Sequence, residues 1–329
     1  MLVASLASAS GISFTCDPSI AASTCTYLNT TIAGIYSSTF TNASANVYIQ
    51  YGTTGLASTS AITNDVSYSS YVAALTANPT KSALQVSALA SLAANAAVPY
   101  GSGNVALSTA LGTALGFTGL TGVNAAGTTG CAFGSAGCYD ASITVTNDPG
   151  TPLFYRNGTV TADEYDFYST VEHELDEVLG TASCISTTTT PLSNGCGANE
   201  PSAVDLYRYS SPGTLVLNSS LSTTPGAYFS SDGGVTNGAN GFVYNTLDNG
   251  EDYADFLSNC PGGPLSVQDA EGCPGTSNLD ITNDGGAEIN ILNAVGYDLA
   301  GTTVPEPSTF LLLGGGLLGI GIIRRRRLV

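Results

Sequence analysis

Positive charge is what this 329-residue sequence has least of: seven Lys and Arg stand against 25 Asp and Glu, for a formal charge of −18. Four of those seven are Arg324 to Arg327 at the extreme C-terminus, so three basic residues serve everything before them. Such a body repels phosphates, which excludes nucleic acid and anionic lipid headgroups as its partners. It attracts cations, Ca²⁺ included, or the acidity simply keeps an exported protein soluble. Histidine is scarcer still. His173 is the only one, and no second imidazole is available for a metal. The eight cysteines never adopt the CxxC spacing of a zinc ribbon. Disorder is excluded from the other direction, because 17 Tyr, 10 Phe and 43% hydrophobic residues give ample bulk to bury.

The cysteines fall instead into four close pairs, Cys16/Cys25, Cys131/Cys138, Cys184/Cys196 and Cys260/Cys273. Nearest-neighbour pairing gives four short disulfide loops and an oxidising compartment, where these sulfurs do not serve as metal ligands. The pattern along the chain is mixed. A helix is expected from after Cys16 to about Phe40, and a strand at Asn46–Gly52 from the alternation of Val47, Ile49 and Tyr51. Tyr71 to Ala94 reads as two helices separated at Pro79, Val105–Leu115 as a helix, and Ala141–Asp148 as a strand. Beyond Cys184 short strands and Asx-Gly turns take over, until Ala287–Leu299 closes the body with a helix. Three Asp-Gly-rich stretches, "SSDGGVTNG", "LDNGEDYAD" and "TNDGG", are either Ca²⁺ loops or ordinary turns; none completes an EF-hand pattern.

The chemistry concentrates in "STVEHELDEVLG", residues 169–180. A helix is expected over Ala162–Leu179, opened by a Thr161/Glu164 capping box and stopped by Gly180. At about 100° per residue, Tyr168, Val171, Leu175, Val178 and Leu179 share the buried face. His173 and Glu177 stand one turn apart on the opposite side, with Cβ atoms about 5–6 Å apart. Ligands at that spacing grip one ion, and Glu174 beside them is placed to act as general base on an activated water. The plainer alternative is an acidic surface helix that happens to hold a histidine. A third ligand must come from elsewhere, and Asp205, a lone carboxylate among apolar residues, is the candidate; otherwise it is a turn or cap residue. Tyr207 and Tyr209 either place a phenol over the site or pack in the core.

The ends carry address labels. Residues 304–329 combine Pro305-Glu306-Pro307, an apolar run from Phe310 to Ile323 and the arginine cluster. This tail resembles the PEP-CTERM sorting signal of bacterial surface proteins. The resemblance implies export, transient inner-membrane anchoring through a short transmembrane segment, and cleavage by an exosortase-type enzyme at the cell surface. The host it implies is a didermic bacterium that makes extracellular polysaccharide. An exported chain also needs a leader. Residues 1–15 offer an apolar Leu2–Leu6 core and an Ala7-Ser8-Ala9 triplet without a basic start, which implies an incomplete signal or a start further upstream.

"HELDEVLG", followed by "VDLYRYSSPG", "AYFSSDGG", "SVQDAEGCPG" and "INILNAVGYDL", is similar to secreted PEP-CTERM proteins of the zincin-like metalloprotease type. The resemblance implies an α+β, metzincin-like fold with an active-site helix and a loop- and short-strand-rich C-terminal half. Position by position, His173 is a metal ligand, Glu174 the base and Gly180 the turn glycine. Glu177 replaces the second histidine, Ser183 takes the third-ligand place, and the Met-turn has no counterpart because Met1 is the only methionine. The expected centre is therefore His173, Glu177 and Asp205 around Zn²⁺, with Fe²⁺ or Mn²⁺ suited to the harder donor set. The expected organisation is a leader (1–15), an N-terminal subdomain (16–180), a C-terminal subdomain (181–303) and the sorting tail (304–329). Two functions follow: a surface-sorted peptidase, or a catalytically inactive protein on the same scaffold in the matrix of the polysaccharide layer.

Overall fold

Alternating apolar residues build the central sheet. In Ser44–Gly52, Ala45, Val47 and Ile49 turn inward and are buried, while their neighbours face the other way. This strand pairs in parallel with Gly11–Cys16 on one side and Ala141–Thr146 on the other. Ala57–Ala61 closes the order as an antiparallel edge strand beside Ala141–Thr146, with Thr59 opposite Ile143. The computed structural model describes residues 11–95, 103–186, 195–197, 199–217, 226–245, 250–258, 260 and 264–301. Gly11–Cys16, most of which falls in the segment read as a leader, is a sheet strand whose Ile12 and Phe14 are buried.

Helices cover this sheet. Ala22–Tyr27, Leu28–Ile32 and Ala33–Thr39 run end to end and bury Leu28, Ile32 and Tyr36. Pro79 separates Tyr68–Ala77 from Ala83–Ala94, and the second helix opens on a Ser82/Gln85 capping box. The helix expected at Val105–Leu115 is instead a strand, Asn104–Leu107, followed by a helix, Thr109–Ala114. Val105 and Leu107 are buried by pairing with Asn64–Ser67, and Ser108 then caps the helix by accepting from Leu111 N–H at 3.1 Å. The second half is loop-rich, with short antiparallel strands at Arg208–Ser211, Thr214–Leu215 and Tyr228–Phe229. A closing helix, Ala287–Val295, ends at Gly296, whose φ of 141° suits glycine.

The result is a mixed α+β fold in which one apolar core runs from Ile12 and Leu28 through to Phe256 and Tyr297. All four expected disulfides are present. The expected transmembrane segment is corrected: no helix among the described residues is long and apolar enough to cross a membrane. The apolar run 310–323, the sorting motif and residues 1–10 lie outside the described residues.

Candidate metal centre

The helix that carries His173 begins later than its sequence suggests. Glu164 does reach back to the Thr161 N–H at 2.7 Å, but the helix proper is Phe167–Asp176, capped by Asp166. Asp166 accepts from the N–H groups of Tyr168 at 2.9 Å and Ser169 at 3.3 Å, and it is ion-paired with Arg156 at 2.8 Å. A wider turn, Glu177–Thr181, continues the helix until Gly180, at φ 119°, stops it. The apolar face is buried as the periodicity requires. The polar faces are largely buried too: Glu172, Glu174 and Asp176 lie within the protein, while His173 and Glu177 keep partial exposure.

His173, Glu177 and Asp255 each bring one donor atom to a common point, all within 4.8 Å of one another. A group capable of holding a metal ion is therefore present. His173 Nδ1 lies 2.9 Å from the Val267 carbonyl, which can only accept, so Nδ1 carries the proton. The lone pair of Nε2 is left facing the cluster, 3.6 Å from Asp255 Oδ1. That Asp255 oxygen also accepts from Gln268 Nε2 at 2.8 Å. Adjacent residues of one segment, Val267 and Gln268, thus orient two of the three donors. Asp255 itself is locked by backbone bonds, Asn245 N–H to Asp255 O at 2.7 Å and Phe256 N–H to Gln268 O at 2.8 Å. Phe256, fully buried and stacked on Phe242 at 5.0 Å, anchors it.

Asp205, expected from sequence as the third ligand, is not one of these three residues. Asp205 is buried, but its Oδ1 accepts from Ser183 Oγ at 2.5 Å. Its Oδ2 accepts from Cys184 N–H, Ser202 N–H and Ser202 Oγ, each at 2.9 Å. With both oxygens committed to local donors, Asp205 holds the chain after the site helix in place. Ser183, at the third-ligand place of the metzincin pattern, is consumed in the same bond. Nor does a phenol cover the site: Tyr207 Oη donates to the Ala294 carbonyl at 3.2 Å, and Tyr209 Oη meets Ser91 Oγ at 2.7 Å. Two Asp-Gly stretches are turns. Asp232 is bound by Ser230 and Thr236, and Asp284 by Val267 N–H and Gly286 N–H. The third stretch, "LDNGEDYAD", ends in Asp255 itself.

Glu174 stands beside the cluster, with Oε2 accepting from Thr59 Oγ1 at 2.7 Å. Burial pushes its carboxyl up, against the opposing pull of His173 and Thr59. Glu177 is pushed well above the usual carboxylate range by burial first, then by Glu174 and Asp255. Asp255 is pushed up to about 8, chiefly by burial. A cleft of about 340 Å³ opens over these groups. Ala57, Ser58, Thr59 and Ala61 of the edge strand line it, together with Ala106, Leu111 and Ser202.

Comparison with known proteins adds one address. The PEP-CTERM protein-sorting motif matches residues 303–327, which marks the chain for export and sorting to the surface by an exosortase-type system. No curated protein and no solved structure matches the chain.

Proposed function

We propose that the protein is a surface-sorted, metal-dependent peptidase of zincin-like design, with His173, Glu177 and Asp255 as ligands and Glu174 as general base. The observation that carries this reading is the convergence of one imidazole and two carboxylates beside a buried glutamate, all four lining one cleft. The donors fit a divalent ion: the histidine tautomer is set by Val267, and one imidazole with two carboxylates forms a harder set than thiolate sites, suited to Zn²⁺, Fe²⁺ or Mn²⁺. Bound there, such an ion supplies Lewis-acid activation of water and of a peptide carbonyl.

The chain's own groups divide the remaining work. Glu174, whose carboxyl is pushed up by burial, takes a proton from the attacking water at its carboxylate and returns it to the leaving amine. Thr59 holds Glu174 Oε2 in place from the sheet. Ala57–Ala61 is an edge strand, and its outer backbone groups suit an extended peptide laid antiparallel along the cleft wall. That placement supports peptide as the substrate class. A silent scaffold on the same fold has less support, because among the described residues the cleft beside the donors is lined by polar as well as small apolar side chains. The test is digestion of a peptide library by the purified protein. Cleavage is expected from the parent and is expected to be absent in Glu174→Gln that retains its metal; cleavage that persists in the variant removes Glu174 as base.

A further inference from the structure

The segment Ser266–Gln268 is hydrogen-bonded to the metal centre and to the closing helix at once. Toward the centre, the Val267 carbonyl accepts from His173 Nδ1 at 2.9 Å, and the Gln268 side-chain amide donates to Asp255 Oδ1 at 2.8 Å. Toward the closing helix, the backbone N–H of each residue donates to an acid. Val267 N–H meets Asp284 Oδ2 at 3.0 Å, and Gln268 N–H meets Glu288 Oε1 at 3.1 Å. Ser266 Oγ donates to the same Glu288 oxygen. Glu288 stands in the first turn of Ala287–Val295 and is fully buried, as is Gln268. No step of the proposed reaction uses it.

One peptide group joins the two ends. The Val267 carbonyl and the Gln268 N–H belong to the same planar amide, and in a trans amide they point in opposite directions. Hydrogen bonds of one polarity therefore run from His173 Nδ1–H to the Val267 carbonyl, and from Gln268 N–H to Glu288 Oε1. An acceptor on the N–H leaves more negative charge on the carbonyl oxygen, so bonds in such a chain strengthen one another by roughly 10–30% each. Val267 and Gln268 are buried, which keeps water from competing. A ligating histidine held at its other nitrogen has a fixed tautomer and a more basic donor nitrogen. Two donors meet Glu288 Oε1 and none meets Oε2, so a carboxyl proton would sit on Oε2 and leave the acceptor intact.

We propose that Glu288 is a positioning residue of the metal centre, which acts through the Val267–Gln268 peptide group to hold His173 as the Nδ1–H tautomer with its Nε2 lone pair free for the ion. The role rests on the metal-dependent reading above for its purpose, and on the hydrogen-bond chain for its existence. Gln268 adds a second link, since the residue whose N–H meets Glu288 also orients Asp255 with its side chain. The closing helix thus reaches two of the three donors without touching the ion.

His173 is the only histidine, so nitrogen NMR of the full-length protein, labelled at histidine and purified without a histidine tag, reads a single imidazole. The metal-free parent, at a pH where the ring is neutral, is expected to show Nδ1–H alone. Glu288→Leu, which removes the acceptor, is expected to show a mixture of tautomers and to bind Zn²⁺ about 10–100-fold more weakly in chelator competition. Glu288→Gln, which keeps an acceptor oxygen, is expected to retain the parent's tautomer and its Zn²⁺ affinity within a few-fold. A residue that only supports the fold would lower the melting temperature and leave the tautomer as it is. Glu288→Asp, whose oxygen is withdrawn by one methylene, serves if the Leu variant does not fold. Nδ1–H alone in the Leu or Asp variant, whatever its Zn²⁺ affinity, overturns the proposal, as does loss of that tautomer in Glu288→Gln or its absence from the parent. A parent that loses Nδ1–H only on Glu288→Leu and yet takes up no Zn²⁺ supports the hold on the ring and contradicts the metal centre.

Discussion

The division of labour between two aspartates decides the chemistry of the site. Asp255 and Asp205 are both buried, yet one faces His173 and Glu177 while the other is saturated by Ser183, Cys184 and Ser202. Asp205→Asn is therefore expected to cost about 2–3 kcal/mol in chemical denaturation, from its lost charge-assisted hydrogen bonds, and to leave metal affinity within a few-fold. Asp255 is pushed up to about 8, so in the metal-free protein it holds a proton at neutral pH that an ion must displace. Because Glu177 is pushed up as well, metal affinity should rise about tenfold or more per pH unit from pH 6 to 8, as competition titrations against a chromophoric chelator would show. The residues on the helix were legible because one turn fixes the spacing of His173, Glu174 and Glu177. Asp255 was not, because it reaches the site through backbone bonds among segments near 245, 255 and 268, a pairing no local pattern encodes. Asp205 attracted attention as a lone carboxylate among apolar residues. That same context also describes a buried acid satisfied by its own backbone.

At the scale of elements, the site helix depends on its first residue. Asp166 caps two N–H groups, accepts from Asn278 N–H at 2.8 Å and receives the half-buried Arg156 guanidinium. Asp166→Ala removes a cap and the carboxylate partner of Arg156, so a loss of about 2–3 kcal/mol in urea unfolding is expected. At the other end Gly180, at φ 119°, lies where an added Cβ would come 3.1 Å from Leu111 Cδ2. Gly180→Ala is expected to cost about 1–2 kcal/mol for the left-handed backbone and to reduce peptide cleavage, because the turn it closes follows Glu177 directly. Strands with clean alternation, such as Ser44–Gly52 and Ala141–Thr146, were readable from sequence. The start of the site helix was not. Thr161 and Glu164 form a local capping contact, but residues up to Asp166 are drawn into a short parallel bridge, Leu153–Phe154 with Tyr165–Asp166. Tertiary pairing there overrides a good local signal.

For the whole molecule, the shortage of positive charge becomes a property of the interior. Of the three basic residues outside the tail, Arg156 and Arg208 sit among acids and aromatic rings, and Lys81 caps the carbonyls of Thr76 and Asn78. Several buried carboxyls thus have no cation. Asp140, with Oδ2 on Asn46 N–H at 2.7 Å and Oδ1 unpartnered, is pushed up to about 7 by burial, and Asp269 likewise to about 7. A raised carboxyl binds its proton more tightly when folded. Its contribution is complete below the unfolded value near 4 and is lost as pH climbs through about 7. The metal-free protein is therefore expected to be more stable in denaturant at pH 5 than at pH 8, and Asp140→Asn to flatten that slope. Whether His173, Glu177 and Asp255 hold one transition-metal ion is answered by elemental analysis of the purified protein beside Asp255→Asn and Asp205→Asn. Near-stoichiometric metal is expected in the parent and in Asp205→Asn, with at least a tenfold loss in Asp255→Asn. Equal metal in the parent and Asp255→Asn, or loss confined to Asp205→Asn, would contradict this assignment.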